Sequence, residues 1–105
     1  LNEYVCLTIL ANPGEPEPAF KTRLVAFWTH MLRNRPDDYE RVYAETTLFS
    51  RTQDRVSRQY MVELGVADTL AAELTSAGIA FTPIDLDDTY SKYEAASPEW
   101  FVIEH

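Results

Sequence analysis

The chain has 105 residues, is 46% apolar and carries a net charge of −8. That length fits one domain, in which folding buries roughly 65% of the unfolded chain's surface, and that apolar share excludes a disordered chain. The acidic balance, 17 carboxylates against 9 basic side chains, argues against a general affinity for nucleic acid or anionic lipid.

Three glycines are too few for a turn-rich all-β design. No run reaches the ~18–20 apolar residues of a membrane span, and the first residues lack the basic region and apolar block of a signal peptide. A cytoplasmic location is therefore expected. Cys6 is the single cysteine, so no disulfide forms within the sequence. Lying in Val5-Cys6-Leu7, it reads as a small buried hydrophobe rather than a reactive thiol.

Residues 1–11 read as a strand. Val5, Leu7 and Ile9 line one face and Tyr4, Cys6 and Leu10 the other, so apolar groups on both faces predict a central position. The next seven residues, Asn12-Pro13-Gly14-Glu15-Pro16-Glu17-Pro18, hold three prolines and a glycine and form a stiff loop. Pro18 suits the first turn of a helix, and Glu15 and Glu17 suit its positive end. Over 19–34, Phe20, Leu24, Phe27, Trp28 and Met31 recur at helical spacing, while Lys21, Arg23, His30 and Arg33 fall on the remaining arc. Pro36 ends this helix.

Asp37-Asp38-Tyr39 is a turn or a short helical start. Residues 41–50 alternate Val42, Ala44, Thr46 and Leu48 against Tyr43, Glu45, Thr47 and Phe49, as a strand does. Residues 50–54 suit a hairpin loop, and 55–63 a further strand with Val56, Tyr60 and Val62 on one face. Over 66–77, Val66, Leu70 and Leu74 mark a second helix, with Gly78 in the stop position. Residues 79–84 make the last strand of the pattern, and Pro83 favours an edge for it.

This order of elements predicts an α+β domain with a ferredoxin-like βαββαβ antiparallel sheet. The first and third strands are central, and both helices lie on one face. Residues 1–105 form a single domain, with 1–84 as the core and 85–105 as a C-terminal aromatic extension. A short helix from Asp87 or Asp88 through Tyr93 and a helical turn after Ser97 are open readings there. An added strand over 100–103 is equally open.

The residues singled out for chemistry are few. Asp85, Asp87 and Asp88 suggest a cation site, but they lack the glycine and distant glutamate of a calcium loop, so strand exit and capping is the competing reading. One cysteine and two histidines exclude a zinc cluster, and no metal or cofactor is expected. His30 stands beside Arg23 and Asn34 with no identifiable acid–base partner, and His105 is terminal. Phosphate loops and nucleophile elbows are missing from the sequence. The Asn12-Pro13-Gly14 turn between strand and helix resembles that of ACT-type amino-acid-sensing domains, whose element order is the same; Glu15-Pro16-Glu17-Pro18 departs from that pattern.

Arg33, Arg35 and Arg41, with Arg51, Arg55 and Arg58, make two basic clusters that suit an anion or simply border turns. Charge is uneven: residues 59–105 hold nine acids against Lys92 alone, whereas 19–58 hold eight Lys or Arg against five acids. Tyr90, Tyr93, Trp100 and Phe101 either cover the sheet or meet a partner, since aromatics dominate interface hot spots.

Three functions follow as expectations. The first is an acidic protein-binding module acting as a homodimer, whose second sheet face, with Tyr4, Tyr43 and Phe49, needs a cover. The second is a dimeric α+β barrel that binds a small molecule or performs chemistry in an apolar pocket. The third is an acidic inhibitor or immunity-type protein whose acidic C-terminal half, Asp85, Asp87 and Asp88 among its residues, meets a basic partner.

Overall fold

Strand β1 spans Glu3–Leu10 and alternates as its sequence dictates. Its odd residues, Val5, Leu7 and Ile9, are buried in the main core. A computed structural model of the chain describes residues 3–39, 42–44 and 48–91. Helix α1 covers Glu17–Asn34, starting two residues before the expected 19, because Pro16 is extended and Pro18 fits the first turn. It ends where Pro36 requires, with Arg35 at φ −140° and ψ 61°. The one-turn helix α2 is Pro36–Tyr39.

The strand expected over 41–50 does not run through. Strand β2 is Val42–Ala44 and strand β3 is Ser50–Thr52. Leu48, expected on the core side, is 73% exposed between them. Residues 50–54 are not a loop: β3 turns into β4, Arg55–Glu63, through Gln53 and Asp54 alone. Both turn residues have positive φ, 55° and 60°, as a tight hairpin twisted like its strands demands. The Arg51 guanidinium fastens the turn by donating to the Asp54 carbonyl at 2.7 Å. Because side chains with a Cβ resist these angles, Gln53→Asn with Asp54→Gly is expected to raise stability by about 1 kcal/mol. Urea unfolding measures it, and a lower midpoint would show that the Asp54 side chain matters more than its backbone.

After β4 come a 3-10 turn, Leu64–Val66, and helix α3, Ala67–Ser76. Gly78, at φ +72°, ends α3 in the left-handed region. The Ile79 amide donates to Leu74 O at 3.0 Å and the Gly78 amide to Thr75 O at 3.1 Å, satisfying carbonyls the helix leaves free. Strand β5 is only Ala80–Phe81 rather than 79–84, since Pro83 has no amide to continue the ladder. Residues Thr89–Ser91 form strand β6, where a short helix from Asp87 or Asp88 was one of the open readings. Tyr93, Ser97, Trp100 and Phe101 lie outside the described residues.

The protein is α+β, with one open antiparallel sheet in the order β2-β4-β1-β5. Strand β3 extends the β2 row along β4, and β6 extends the β5 row along β1. The central pair is β1 with β4, registered as Val5 to Val62 and Leu7 to Tyr60. One core joins Val5, Leu7 and Ile9 to Phe20, Leu24 and Trp28 of α1 and to Leu70 and Leu74 of α3. Trp28 lies at its centre, with ring centroids 5.1 Å from Phe27, 5.2 Å from Tyr60 and 6.3 Å from Tyr39.

Tyr4, Leu10 and Met61 occupy the other side of the β1–β4 register and are 1%, 3% and 4% exposed. Half-buried Tyr43 stands near Tyr4, with ring centroids 6.0 Å apart. Phe49, expected on that face, belongs instead to the core side, with its ring 5.8 Å from Phe20. Cys6, expected to be buried, is half-buried, and its Sγ lies 3.4 Å from Met61 Sδ. Among the described residues no helix is long and apolar enough to cross a membrane.

Candidate functional site

The loop after β1 is held by its own sequence. The Ala11 amide donates to Val56 O at 2.7 Å, tying the loop's start to β4. Gly14 takes φ +77°, an angle that a side chain would strain. The Glu15 amide then donates to Asn12 O at 3.0 Å, and the Asn12 amide donates to Glu15 Oε1 at 3.0 Å. Four residues thus close on themselves before α1 begins.

Arg23, one and a half turns into α1, clamps that loop. Its Nε donates to Glu15 Oε2 at 2.8 Å and its Nη2 to Glu15 Oε1 at 2.6 Å. The pair is the bidentate fork that guanidinium and carboxylate geometry favours, and the Glu15 side chain is only 12% exposed. The Arg23 fork, above all, holds the Glu15 carboxyl below the usual range; burial opposes this and the Asn12 amide assists it. The same bond raises Arg23. Sequence placed Arg23 on the solvent arc and left Glu15 to the helix dipole. Their eight-residue separation carries no signal that they would pair.

A depressed carboxyl stabilises the fold above its unfolded pKa, and that contribution is lost as pH falls through the folded value. Glu15→Gln is therefore expected to cost about 1 kcal/mol at neutral pH. The gap to the parent should close as pH drops through and below the ordinary carboxylate range. Urea midpoints for both proteins across that range measure it, and a gap constant with pH would rule out the charge as its source.

Between this loop and the β3–β4 hairpin lies a half-open groove of about 510 Å³. Gly14, Glu15, Pro16 and Glu17 form one wall, and Phe49, Arg51, Asp54 and Arg55 form the other, with Val56 contributing from β4. The walls differ in charge. With Glu15 neutralised by Arg23, the loop wall offers the exposed Glu17 carboxylate. On the hairpin wall Arg51 pairs with Val56 and Arg55 with Thr52 in the ladder, so the two arginine side chains leave opposite faces of the ribbon. Arg55 is half-buried, and its side chain makes no ion pair or hydrogen bond among the described residues. Sequence had grouped Arg51, Arg55 and Arg58 as one cluster. Arg58 instead leaves the surface: it is 8% exposed, and its guanidinium lies 4.9 Å from the Phe49 ring centroid and 5.8 Å from that of Tyr60.

The other sequence candidates lie elsewhere. Asp85, Asp87 and Asp88 are exposed in the turn before β6. There the Asp87 amide donates to Asp85 Oδ1 at 3.0 Å and the Asp88 amide to Asp85 O at 3.2 Å. Among the described residues no group of three or more His, Cys, Asp or Glu is placed to hold a metal ion. Tyr90 stands opposite Tyr4 in the β6–β1 register. Tyr93, Trp100 and Phe101 lie outside the described residues.

His30 is exposed on α1, and Asn34 Nδ2 lies 3.1 Å from its Nδ1 while donating to its carbonyl at 2.8 Å. With Arg23, Ala26, Phe27, Ala77 and Ile79 it borders a shallow, mostly apolar depression away from the groove. Arg33 and Arg35 are exposed, and Arg35 reaches Asp38 at 3.5 Å; Arg41 lies outside the described residues. No protein-family model, curated protein or solved structure matches this chain.

Proposed function

We propose that this domain binds a small molecule in the groove between the 12–17 loop and the β3–β4 hairpin. The observation that carries the reading is the groove itself. Its volume of about 510 Å³ falls among the sizes of small-molecule sites, which combine apolar lining with a few placed polar groups. Phe49 and Val56 supply the apolar part, and Glu17 and Arg51 the polar part. Binding is favoured over chemistry because Glu15, the best-buried carboxylate in the groove, is committed to Arg23 as an anion. A general base needs a pKa near the working pH.

The fold reading behind this proposal is the ferredoxin-like βαββαβ arrangement. The row order β2-β4-β1-β5 and the core shared by α1 and α3 support it. In that arrangement the groove lies at the Asn12-Pro13-Gly14 turn, the segment that resembles ACT-type domains.

An acidic, homodimeric protein-binding module is the second reading. It drew on an uncovered sheet face, but Tyr4, Leu10 and Met61 on that face are already buried. What favours it now is Leu48, a large apolar side chain left 73% exposed beside the hairpin. Sedimentation of the parent and of Leu48→Ser separates the readings: a dimer lost on substitution supports this one.

The groove reading is tested by screening a small-metabolite mixture against nitrogen-15-labelled protein. The expected result is saturable shifts confined to the amides of Gly14, Glu17, Arg51 and Arg55. Shifts that cluster elsewhere, or that arise from none of the compounds, would reject the groove as the site.

A further inference from the structure

We infer that the second face of the β1–β4 pair is a docking surface whose occupant is the chain's own segment 92–105. Tyr4 and Leu10 of β1 share that face with Ser57 and Met61 of β4. Within a single chain they are 1%, 3%, 1% and 4% exposed. Side chains that stand off a sheet are flanked by their neighbours in the sheet, but only a layer laid over them keeps water from their tips. Tyr43, 6.0 Å from Tyr4, and Cys6, 3.4 Å from Met61 Sδ, are flanking neighbours of this kind.

The helices do not form that layer. Among the described residues, every buried side chain of α1, α2 and α3 belongs to the core built on Val5, Leu7 and Ile9, and Tyr4, Leu10 and Met61 stand apart from it. The burial is that of one chain alone, so the cover comes from within it. The face runs six residues from Tyr4 to Leu10, about 20 Å. Residues 1–2, 40–41 and 45–47 are too short to span it.

Segment 92–105 has the length and the composition. It follows β6, whose Ser91 stands opposite Glu3 and so beside Tyr4. From there to Trp100 the chain can extend up to about 30 Å, enough to reach any part of the face. Trp100-Phe101-Val102-Ile103 is a continuous apolar run, and each aromatic ring buries about 150–250 Å². A second copy or another partner reaches this face only by displacing the segment.

The full chain, labelled with carbon-13 at its methionine methyls, tests the occupant. Of its two methionines, Met31 reports the main core and Met61 the second face. The Met61 methyl is expected to show nuclear Overhauser contacts to ring protons of Trp100 or Phe101. Contacts with no residue of 92–105 overturn the inference. Mixing protonated chains with chains deuterated except at the methionine methyls retains only contacts between copies. Contacts to Trp100 or Phe101 in that mixture assign the cover to a second copy and also overturn it. In the full chain carrying Trp100→Ser and Phe101→Ser, the Cys6 thiol on the same face should react with a disulfide reagent at least about threefold faster, while the Met31 methyl keeps its shift. An unchanged Cys6 rate counts against the segment as cover. Should the double variant unfold, the contacts in the parent still decide.

Discussion

Trp28→Ala is expected to destabilise the domain by about 4 kcal/mol, since emptying the site of a fully buried indole costs both its transfer energy and the cavity left behind. Trp28 is wholly buried on α1 and touches aromatic rings from three elements: Phe27 on its own helix, Tyr39 on α2 and Tyr60 on β4. A domain of this size has roughly 5–15 kcal/mol of stability in total, so the variant should approach unfolding at physiological temperature. Trp28→Phe should cost far less, about 1 to 2 kcal/mol. The indole Nε1 is buried without a hydrogen-bond partner among the described residues, so its removal breaks no bond. Urea unfolding followed by far-ultraviolet dichroism measures both. Equal losses for the two variants would mean that ring volume is not what Trp28 contributes.

Tyr39→Phe is expected to leave stability at neutral pH unchanged or raised by up to about 1 kcal/mol, and to change the response to alkali. The Tyr39 hydroxyl is fully buried and has no hydrogen-bond partner among the described residues. Such a group bears its desolvation cost without return, and replacing it by hydrogen removes that cost. Burial, more than anything else, pushes the phenol up from 10.0 to about 12; Glu73 and Asp38 add to this, and Arg35 opposes it.

The fold therefore holds the neutral phenol. Above pH 10.0 the unfolded chain's phenol ionises while the folded one keeps its proton, so stability is full below that pH and falls until about 12. The loss assigned to this one group is about 2 kcal/mol. The difference between the urea midpoints of parent and variant isolates Tyr39. Parallel decline of the two proteins through this range would sink the idea.

Much of the architecture was legible because it rests on local physics. The spacing of Phe20, Leu24, Phe27, Trp28 and Met31 can bury one stripe only if the chain is helical, and those five are the buried residues of α1. Gly78 and Pro36 stop their helices through backbone restrictions that belong to those residues alone. The alternation along β1, apolar on both faces, foretold a strand paired on both edges. The same logic failed over 41–50. Alternation reports a face only while the strand continues, and nothing local in the sequence says that β2 ends at Ala44 and leaves Leu48 outside.

Sequence by itself determined the α+β class, the central place of β1 and β4 and the core stripes of β1 and α1, because side-chain periodicity and turn chemistry act over a few residues. Only the tertiary structure decided the groove. It brings Gly14 and Glu17 against Arg51 and Arg55, more than thirty residues away. It joins Glu15 to Arg23, takes Arg58 out of water over Phe49 and Tyr60, and sets Thr89–Ser91 beside β1 as a strand. Each of these depends on which distant edge, ring or charge the folded chain presents. Local periodicity carries no term for that choice, and it is settled only when the sheet assembles and a buried charge or an open backbone must find its partner.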